Sequence, residues 1–327
     1  MSQVELATFD ALPARWNRLQ DALHQVIVGQ NEAIGLLQVA LLCRGHVLVT
    51  GVPGLAKTLL VRTLARAVSV DFRRIQFTPD LMPTDIIGTE LLQETEHGRQ
   101  MRFVPGPLFT QLLLADEINR TPPRTQSALL EAMAERQVTV FGKTRPLDDP
   151  FVVVATQNPI EQDGTWPLPE AQLDRFMLGL RVDYPTLEEE KHIAAEAPRI
   201  RAAAAAMTPV LTREELLTDA DLVWRMPVAD SVADLAVRLV RATRPGDPSA
   251  PALVREGVAW GAGPRAAQDL IHAAKAMAAL EGAPTPAFKH VQALAGPVLA
   301  HRLVLGYAAT GRGLTQAQVV AEVVKGV

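Results

Sequence analysis

The sequence predicts an α/β protein in which a core with a parallel β-sheet flanked by helices is followed by a smaller all-α domain. Up to about residue 184, short apolar runs typical of buried parallel strands alternate with helical patterns. One run leads through a Gly/Pro turn into a helix, and another ends in two acidic residues. From Pro185 onward the strand patterns stop, and the chain is helical and rich in alanine. We therefore assign residues 1–190 to the core and residues 205–327 to the helical domain.

The composition is that of a globular protein with few of the features of a secreted one. The chain has 327 residues, 48% of them hydrophobic and 21% charged, and a formal net charge of -4. This acidic balance disfavours a broad nucleic-acid interface, and no apolar run approaches the length of a membrane span. Cys43 is the single cysteine, and the first residues lack the pattern of a signal peptide. These features predict a cytoplasmic protein without disulfides or membrane insertion.

The individual elements follow from local patterns. Two amphipathic helices come first, near residues 11–25 and 31–45, because their apolar residues recur at helical spacing. Turn-rich stretches between paired strand patterns predict two hairpin inserts, near residues 90–104 and 137–147. The apolar runs predict core strands near residues 47–50, 75–77, 111–115, 151–156 and 177–182, with helices after the first, third and fourth of them.

Residues 47–58 have the pattern of a phosphate-binding loop between a strand and a helix; a plain strand–turn–helix corner is the alternative. The backbone N–H groups of such a loop point at a polyphosphate, and the following helix adds its positive N-terminal end. Lys57 is expected to reach the β- and γ-phosphates, and Thr58 to hold Mg²⁺. The residues expected to contact the nucleotide here are Gly51, Val52, Pro53, Gly54, Leu55, Ala56, Lys57, Thr58 and Leu59.

One position of this loop departs from the general pattern. Ala56 stands where the second glycine of Gly-Lys-Ser/Thr is usual. A methyl group is harmless at that point only where the backbone has a negative φ. We therefore expect Ala56 to be helical already.

The stretch 111–117 is an apolar run that ends in Asp116 and Glu117. A buried parallel strand has this composition where its C-terminal end enters an active site. Asp116 is expected to steady the Mg²⁺ shell, and Glu117 to polarise the attacking water. The alternative is a core strand that meets solvent at two acids, and the preceding phosphate loop favours the functional interpretation.

Four motifs together closely resemble the MoxR family of AAA+ ATPases. They are GVPGLAKT at 51–58, LADEINR at 114–120, ATQNP at 155–159 and LPEAQLDRF at 168–176. The resemblance runs from about Val28 to Tyr184, and the helical tail is similar, less specifically, to the lid domain of the family. It implies a P-loop NTPase core of the AAA+ type that binds ATP and Mg²⁺. It also implies a homo-oligomeric ring, a hexamer, with nucleotide between subunits, and phosphate loops of this family commonly carry Ala-Lys-Thr.

The resemblance implies further catalytic roles in the core. Asn158 would orient the water that attacks the γ-phosphate; the alternative is a residue that only shapes an Asn-Pro turn. Arg175 would be an arginine finger that reaches the γ-phosphate of the neighbouring subunit and stabilises transition-state charge. The structural alternative for Arg175 is a surface pair with Asp174. Arg120 is the second choice for this trans arginine, and Arg124 is a further rival.

Two more places carry expectations from the resemblance. Arg265 lies in the first turn of a helix that Pro264 opens, where a cation opposes the helix dipole and calls for a nearby anion. It matches the sensor arginine that links the lid to the γ-phosphate; an exposed arginine is the alternative. Val28 and Gly29 resemble the segment that flanks the adenine.

The resemblance implies an ATP hydrolase whose ring remodels protein clients in a chaperone-like way, with von Willebrand A domain proteins among the clients. The two hairpin inserts would face the pore or the client. A nucleotide-gated assembly scaffold is one alternative. A chelatase-like ATPase subunit that supports metal insertion is another, since it shares every motif. A nucleic-acid motor would need a basic pore, which the acidic balance disfavours.

Overall fold

The structure is a computed structural model that describes residues 3–52, 54–95, 98–158 and 164–327. Two residues of the motifs above, Pro53 of the phosphate loop and Pro159 after Asn158, lie outside these ranges. The strands are β1 (Val47–Thr50), β2 (Phe72–Gln76), β3 (Gly88–Thr95), β4 (Gly98–Pro105), β5 (Leu112–Asp116), β6 (Gln137–Val140), β7 (Lys143–Pro146), β8 (Val152–Gln157), β9 (Leu178–Arg181), β10 (Val258–Trp260) and β11 (Val304–Leu305).

A five-stranded sheet of order β2-β5-β8-β1-β9 forms the centre of the molecule, and all its strand pairs are parallel. The predicted α/β fold is therefore confirmed. Ala115 of β5 pairs with Ala155 of β8, so the carboxyl ends of these strands lie side by side, and the strand that leads to Asn158 ends next to the strand that leads to Glu117. At the edge of the sheet, β2 begins at Phe72, earlier than predicted. An edge strand tolerates exposed charged residues such as Arg73 and Arg74. These residues interrupt the apolar run, so the sequence pattern shows only the end of the strand.

The helices cover both faces of the sheet and make up most of the chain after β9. They are α1 (Gln3–His24), α2 (Asn31–Leu42), α3 (Lys57–Ala67), α4 (Pro83–Ile87), α5 (Pro123–Glu135), α6 (Glu170–Leu173), α7 (Leu187–Ala195), α8 (Ala197–Ala206), α9 (Arg213–Trp224), α10 (Asp230–Ala242), α11 (Ala252–Gly257), α12 (Pro264–Leu280), α13 (Phe288–Leu299), α14 (Tyr307–Gly311) and α15 (Gln316–Gly326), with 3-10 turns at Ile118–Arg120 and Ala300–Arg302. No helix of the described ranges is long and apolar enough to cross a membrane.

The core residues alternate between two hydrophobic clusters, one on each face of the sheet, as the two-residue period of a strand requires. In β1, Val47 and Val49 belong to one cluster and Leu48 to the other. The first cluster extends from α1 and α2 over one face of the sheet to helices α9–α13 and α15. The helical part thus packs into the same core as the sheet, and a boundary near residues 190–205 stays a prediction.

Two antiparallel hairpins project from the core, β3 with β4 and β6 with β7. They touch each other where the Arg145 guanidinium lies 3.9 Å from the centre of the Phe103 ring, a cation–π contact. Leu92 and Met101 face each other across the first hairpin, and both are exposed.

Candidate nucleotide-binding site

The loop between β1 and α3 turns twice through the left-handed region of backbone space. Gly54 has a φ of +87° and Ala56 a φ of +55°, and α3 begins at Lys57. The expectation that Ala56 is helical is therefore wrong. Left-handed residues on either side of Leu55 alternate the direction of the backbone, which is how successive N–H groups come to line an anion-binding concavity before the helix starts.

Lys57 closes this loop from the inside. Its Nζ donates to the Gly51 carbonyl oxygen at 2.6 Å. Burial lowers the pKa of Lys57, and the carboxylates of Asp116 and Glu117 oppose that shift. Gly51 has no room for a side chain, because a Cβ there would lie 2.7 Å from the carbonyl oxygen of Val182. The ammonium group thus lies between the loop and two carboxylates, where an anion can take over its contact with Gly51.

A cavity of about 430 Å³ brings together residues from the loop, from β5 and from the end of β8. Sequence reasoning placed most of its lining residues in one site, although they come from motifs far apart in the chain. The lining consists of Gly54, Leu55, Ala56, Lys57, Thr58, Leu59, Arg74, Gln76, Asp116, Glu117 and Asn158.

Thr156 fixes the two acids that follow β5. Its hydroxyl donates to Oδ1 of Asp116 at 2.6 Å and accepts the backbone N–H of Glu117 at 2.9 Å. Glu117 has a φ of +57°, a left-handed conformation that is costly for a side chain of this size. The buried threonine therefore sets both the orientation of one carboxylate and the backbone turn from which the other projects.

Sequence reasoning missed two polar residues of β2 that hold the same acids. Arg74 donates from Nε and Nη2 to Oδ2 of Asp116, at 3.0 and 2.8 Å. Gln76 donates to Oε2 of Glu117 at 2.7 Å, and Arg120 lies 3.2 Å from the same oxygen. The strand order could have revealed these two residues. Because β2 lies next to β5 in the sheet, residues near the end of β2 reach Asp116 and Glu117.

Mg²⁺ fits the oxygen donors at this place. Thr58 supplies a hydroxyl at the start of α3, and Asp116 supplies a carboxylate across the cavity. Within the described residues, no group of three or more His, Cys, Asp or Glu side chains could hold a metal alone. Mg²⁺ is generally held by one or two carboxylates together with phosphate oxygens and water, so this sparse set suits it.

The residues expected near the adenine lie beside the loop. Gln30 donates to the Leu55 carbonyl at 3.1 Å, which ties the segment after Val28 and Gly29 to the phosphate loop. The Glu189 carboxylate of α7 packs against Gly29, whose φ is +67°. Gly51 and Val52 line a neighbouring cavity of about 330 Å³ together with Thr50, Arg181, Val182, Asp183 and Tyr184.

The two arginines expected to act on phosphate are not among the described residues that line the phosphate cavity. Arg175 donates from Nη1 to the Leu130 carbonyl. The alternative of an Asp174–Arg175 pair is wrong, since the Asp174 carboxylate instead accepts from Arg302 at 3.0 Å. Arg265 lies 3.6 Å from the other oxygen of Asp174, which is the nearby anion that its place in a first helical turn required.

The fold and the cavity define the class of the protein as a P-loop ATPase of the AAA+ type. Residues 46–178 match the ATPase family associated with various cellular activities (AAA), and residues 250–323 match the AAA lid domain. A crystal structure of a candidate ATPase from Cytophaga hutchinsonii superimposes with a TM-score of 0.91 at 36% identity, covering 98% of this chain and 96% of that one.

Relatives that match most of the chain show to which family of AAA+ ATPases it belongs. Chaperone MoxR1 of Mycobacterium tuberculosis is 43% identical over 91% of this chain and 78% of its own length. Uncharacterised protein YeaC of Bacillus subtilis is 40% identical over 93% of this chain and 92% of its own length. The chain therefore belongs to the MoxR family of AAA+ ATPases, which confirms the resemblance seen in the four motifs. Membership of an ATPase family implies nucleotide binding.

Proposed function

We propose that this chain binds and hydrolyses Mg-ATP, assembles into a homo-oligomeric ring, and uses turnover to remodel protein clients as a chaperone. The observation that carries the proposal is the phosphate cavity, where Lys57, Asp116, Glu117 and Asn158 meet from separate motifs. The relative from Mycobacterium tuberculosis is named a chaperone, which supports the same kind of work here.

The roles proposed for the residues follow from their positions. The N–H groups around Gly54 and Ala56, together with Lys57, bind and orient the phosphates. Mg²⁺ held by Thr58 and Asp116 supplies positive charge to the phosphate oxygens when it is bound. Glu117 polarises the attacking water.

Three side chains hold this arrangement or complete it. The buried Asn158 at the end of β8 orients the attacking water. Arg74 and Gln76 hold the two acids from β2, so that Glu117 keeps one geometry relative to the loop.

The position of Arg175 supports an active site that two neighbouring subunits share. It belongs to a segment outside the cavity of its own chain, and a phosphoryl-transfer site gains several orders of magnitude in rate from an added arginine. We therefore assign Arg175 to the neighbouring subunit's nucleotide and keep Arg120 as the second choice, since Arg120 already contacts Glu117. This assignment requires a ring, which we take to be a hexamer.

The test mixes two inactive variants. Glu117→Gln loses water activation but still offers Arg175, whereas Arg175→Ala keeps its own acids but offers no arginine. Each alone should lose at least about 100-fold in kcat. A mixture that regains ATPase activity while native mass spectrometry shows mixed rings supports the shared site. A mixture that forms mixed rings and stays inactive overturns the trans role of Arg175, and Arg120→Ala is then mixed in its place.

Client remodelling needs a separate readout. A von Willebrand A domain protein, incubated with the ring and ATP, should become sensitive to protease only while ATP is hydrolysed. Glu117→Gln with ATP should bind the client without this change. Full remodelling by Glu117→Gln would instead support a nucleotide-gated scaffold in which turnover plays no part.

A further inference from the structure

Arg302 is the most deeply buried arginine of an ion-pair cluster, and its side chain is only 2% exposed. It ends the 3-10 turn that follows α13, within the stretch that matches the AAA lid domain. A guanidinium in this position must find acceptors for its N–H donors, because an unpaired buried charge is strongly destabilising. The positions of those acceptors show which segments of the chain Arg302 holds together.

Half of the acceptors lie on the two residues that flank Arg175. Nε donates to Oδ1 of Asp174 at 3.0 Å, and Nη2 donates to the Phe176 carbonyl at 3.0 Å. A longer contact from Nη2 reaches the Asp174 carbonyl at 3.4 Å. The planar guanidinium thus fixes the backbone on both sides of Arg175, and it does so with a rigid fork that a lysine cannot reproduce.

A longer contact from Nη1 reaches the Met177 carbonyl at 3.4 Å, and the two remaining acceptors belong to the lid itself. Nη2 donates to Oδ2 of Asp269 on α12 at 2.5 Å, and Nη1 donates to the Val298 carbonyl of α13 at 2.6 Å. The neighbouring His301 lies 2.8 Å from the Phe176 carbonyl through Nε2. The Arg175 segment is therefore held by two consecutive residues of one lid turn.

Asp174 also connects this turn to Arg265. The Arg265 guanidinium lies 3.6 Å from the Asp174 carboxylate and donates to the Asp174 carbonyl at 3.4 Å. Two lid arginines thus converge on the residue immediately before Arg175.

We propose that Arg302 is a positioning residue for Arg175, so that the lid of each subunit sets the arginine which that subunit offers to its neighbour. The inference rests on the proposed shared site. Because Arg302 bonds both flanks of Arg175 and two lid helices, a displacement of the lid displaces the arginine with it. Arg302 contributes nothing to the phosphate cavity of its own chain in this arrangement, and its loss is a defect of the donor subunit alone.

The first test is the substitution Arg302→Lys, which keeps the positive charge beside Asp269 but removes the fork. We expect kcat to fall by at least about tenfold with KM for ATP within about twofold, because a trans arginine acts mainly on the transition state. Asp174→Asn is measured beside it, since it weakens the same clamp from the other side while Arg302 keeps its remaining acceptors. An unchanged kcat in folded, ring-forming Arg302→Lys overturns the proposal. If Arg302→Lys does not fold, an unchanged kcat in Asp174→Asn overturns it instead.

Mixed rings distinguish a donor defect from general damage. Arg302→Lys mixed with Glu117→Gln should regain activity to the level of the Arg175→Ala and Glu117→Gln mixture, because Glu117→Gln still offers a well-placed arginine. Arg302→Lys mixed with Arg175→Ala should show no more activity than Arg302→Lys alone, since neither offers a well-placed arginine. A mixture of Arg302→Lys and Glu117→Gln that shows no more activity per Arg302→Lys subunit than Arg302→Lys alone overturns the proposal.

The matched control is Arg15→Lys. Arg15 also pairs with a buried carboxylate, Asp219, but it joins α1 to α9. This variant should lose thermal stability while it keeps kcat and donor function. If Arg175→Ala and Glu117→Gln fail to complement each other, the shared site itself fails. If they do complement and only the Arg302→Lys pattern departs from expectation, the shared site stands and the clamp alone is rejected.

Discussion

At the scale of single residues, Thr156 is the side chain on which the geometry of the acids depends. It is buried, and its hydroxyl both donates to Asp116 and accepts from the backbone of Glu117. A hydroxyl is the smallest group that can do both at once, since it carries one donor and two acceptor positions. Valine has nearly the same shape but neither function.

We predict that Thr156→Val lowers kcat for ATP hydrolysis by about 10- to 100-fold, because the Asp116 carboxylate and the Glu117 backbone lose the hydroxyl that orients them, and a small misplacement of such groups costs up to about 100-fold in rate. Thr156→Ser keeps the hydroxyl and should stay within about threefold of the wild type. Steady-state kinetics and nucleotide affinity, measured separately, check this. Equal kinetics for the valine and serine variants would show that the hydroxyl does not position the acids.

Ala56 gives a second prediction at this scale. An alanine with a φ of +55° costs about 1–2 kcal/mol relative to glycine in the folded loop, whereas glycine costs roughly 0.4–1 kcal/mol through the unfolded chain. Ala56→Gly should therefore leave the free energy of unfolding unchanged or raise it by up to about 1.6 kcal/mol, and it should keep nucleotide affinity. Ala56→Val should be destabilising, because a β-branched residue is a poor fit to this region. Urea titrations of both variants test it, and a valine variant as stable as the glycine one would contradict it.

At the scale of elements, Gly179 is where β9 and the lid turn come together. A Cβ at this position would lie 2.7 Å from Nδ1 of His301 and 3.1 Å from its Cβ. The ring of His301 occupies that space while its Nε2 contacts the Phe176 carbonyl. The glycine therefore permits the close approach of the turn that carries Arg302.

We predict that Gly179→Ala lowers the free energy of unfolding by about 1–3 kcal/mol, the usual cost of overpacking. The control is Gly296→Ala in α13, where an added Cβ meets open space. That change should be neutral or stabilising by up to about 1 kcal/mol, since alanine has the higher helix propensity. Chemical denaturation of both variants is the measurement. Similar stability of Gly179→Ala and Gly296→Ala would contradict the prediction, because the lid turn would then accommodate the added methyl group without loss of stability.

At the scale of the whole molecule, buried histidines connect the fold to pH. Burial lowers the pKa of His46 to about 4, of His272 to about 4 and of His301 to about 3. Each is held neutral in the folded chain, whereas an unfolded histidine takes up a proton below about pH 6.5. Their stabilising effect is complete above that pH and is lost as the pH falls toward the folded pKa. Burial raises the pKa of Asp269 to about 6. The folded chain therefore takes up a proton at Asp269 as the pH falls from 7 to 5, which stabilises it and opposes the effect of the histidines.

We predict that the free energy of unfolding falls by roughly 4 kcal/mol between pH 7 and pH 5, with each histidine responsible for about 2 kcal/mol and Asp269 offsetting part of the loss. In His46→Gln, an amide can donate to Met133 and accept from Val153 as the ring nitrogens do, without titrating. This variant should lose about 2 kcal/mol of the pH dependence. The exposed His192→Gln serves as the control and should keep it. The same slope in both variants would remove His46 from the explanation.

The sequence by itself determined the features that short contiguous patterns encode. Short apolar runs that alternate with helical patterns predicted the parallel sheet, and the phosphate loop and the Asp116–Glu117 pair were recognisable because their chemistry lies within a few adjacent residues. The two acids were assigned to an active site by one further rule, that the C-terminal end of a buried parallel strand enters such a site. The four motifs sufficed for the family.

Only the tertiary structure decided which polar groups became partners. Arg74 and Asp116 lie 42 positions apart in the chain, and Arg302 and Asp174 lie 128 positions apart. A side chain encodes how many hydrogen bonds it needs, but its partner depends on which elements pack together and in what register. The left-handed turn at Ala56 has the same origin, because the closure between β1 and α3 imposed it against the residue's own preference. Local chemistry is written in the sequence, whereas partners brought together by packing exist only once the core has formed.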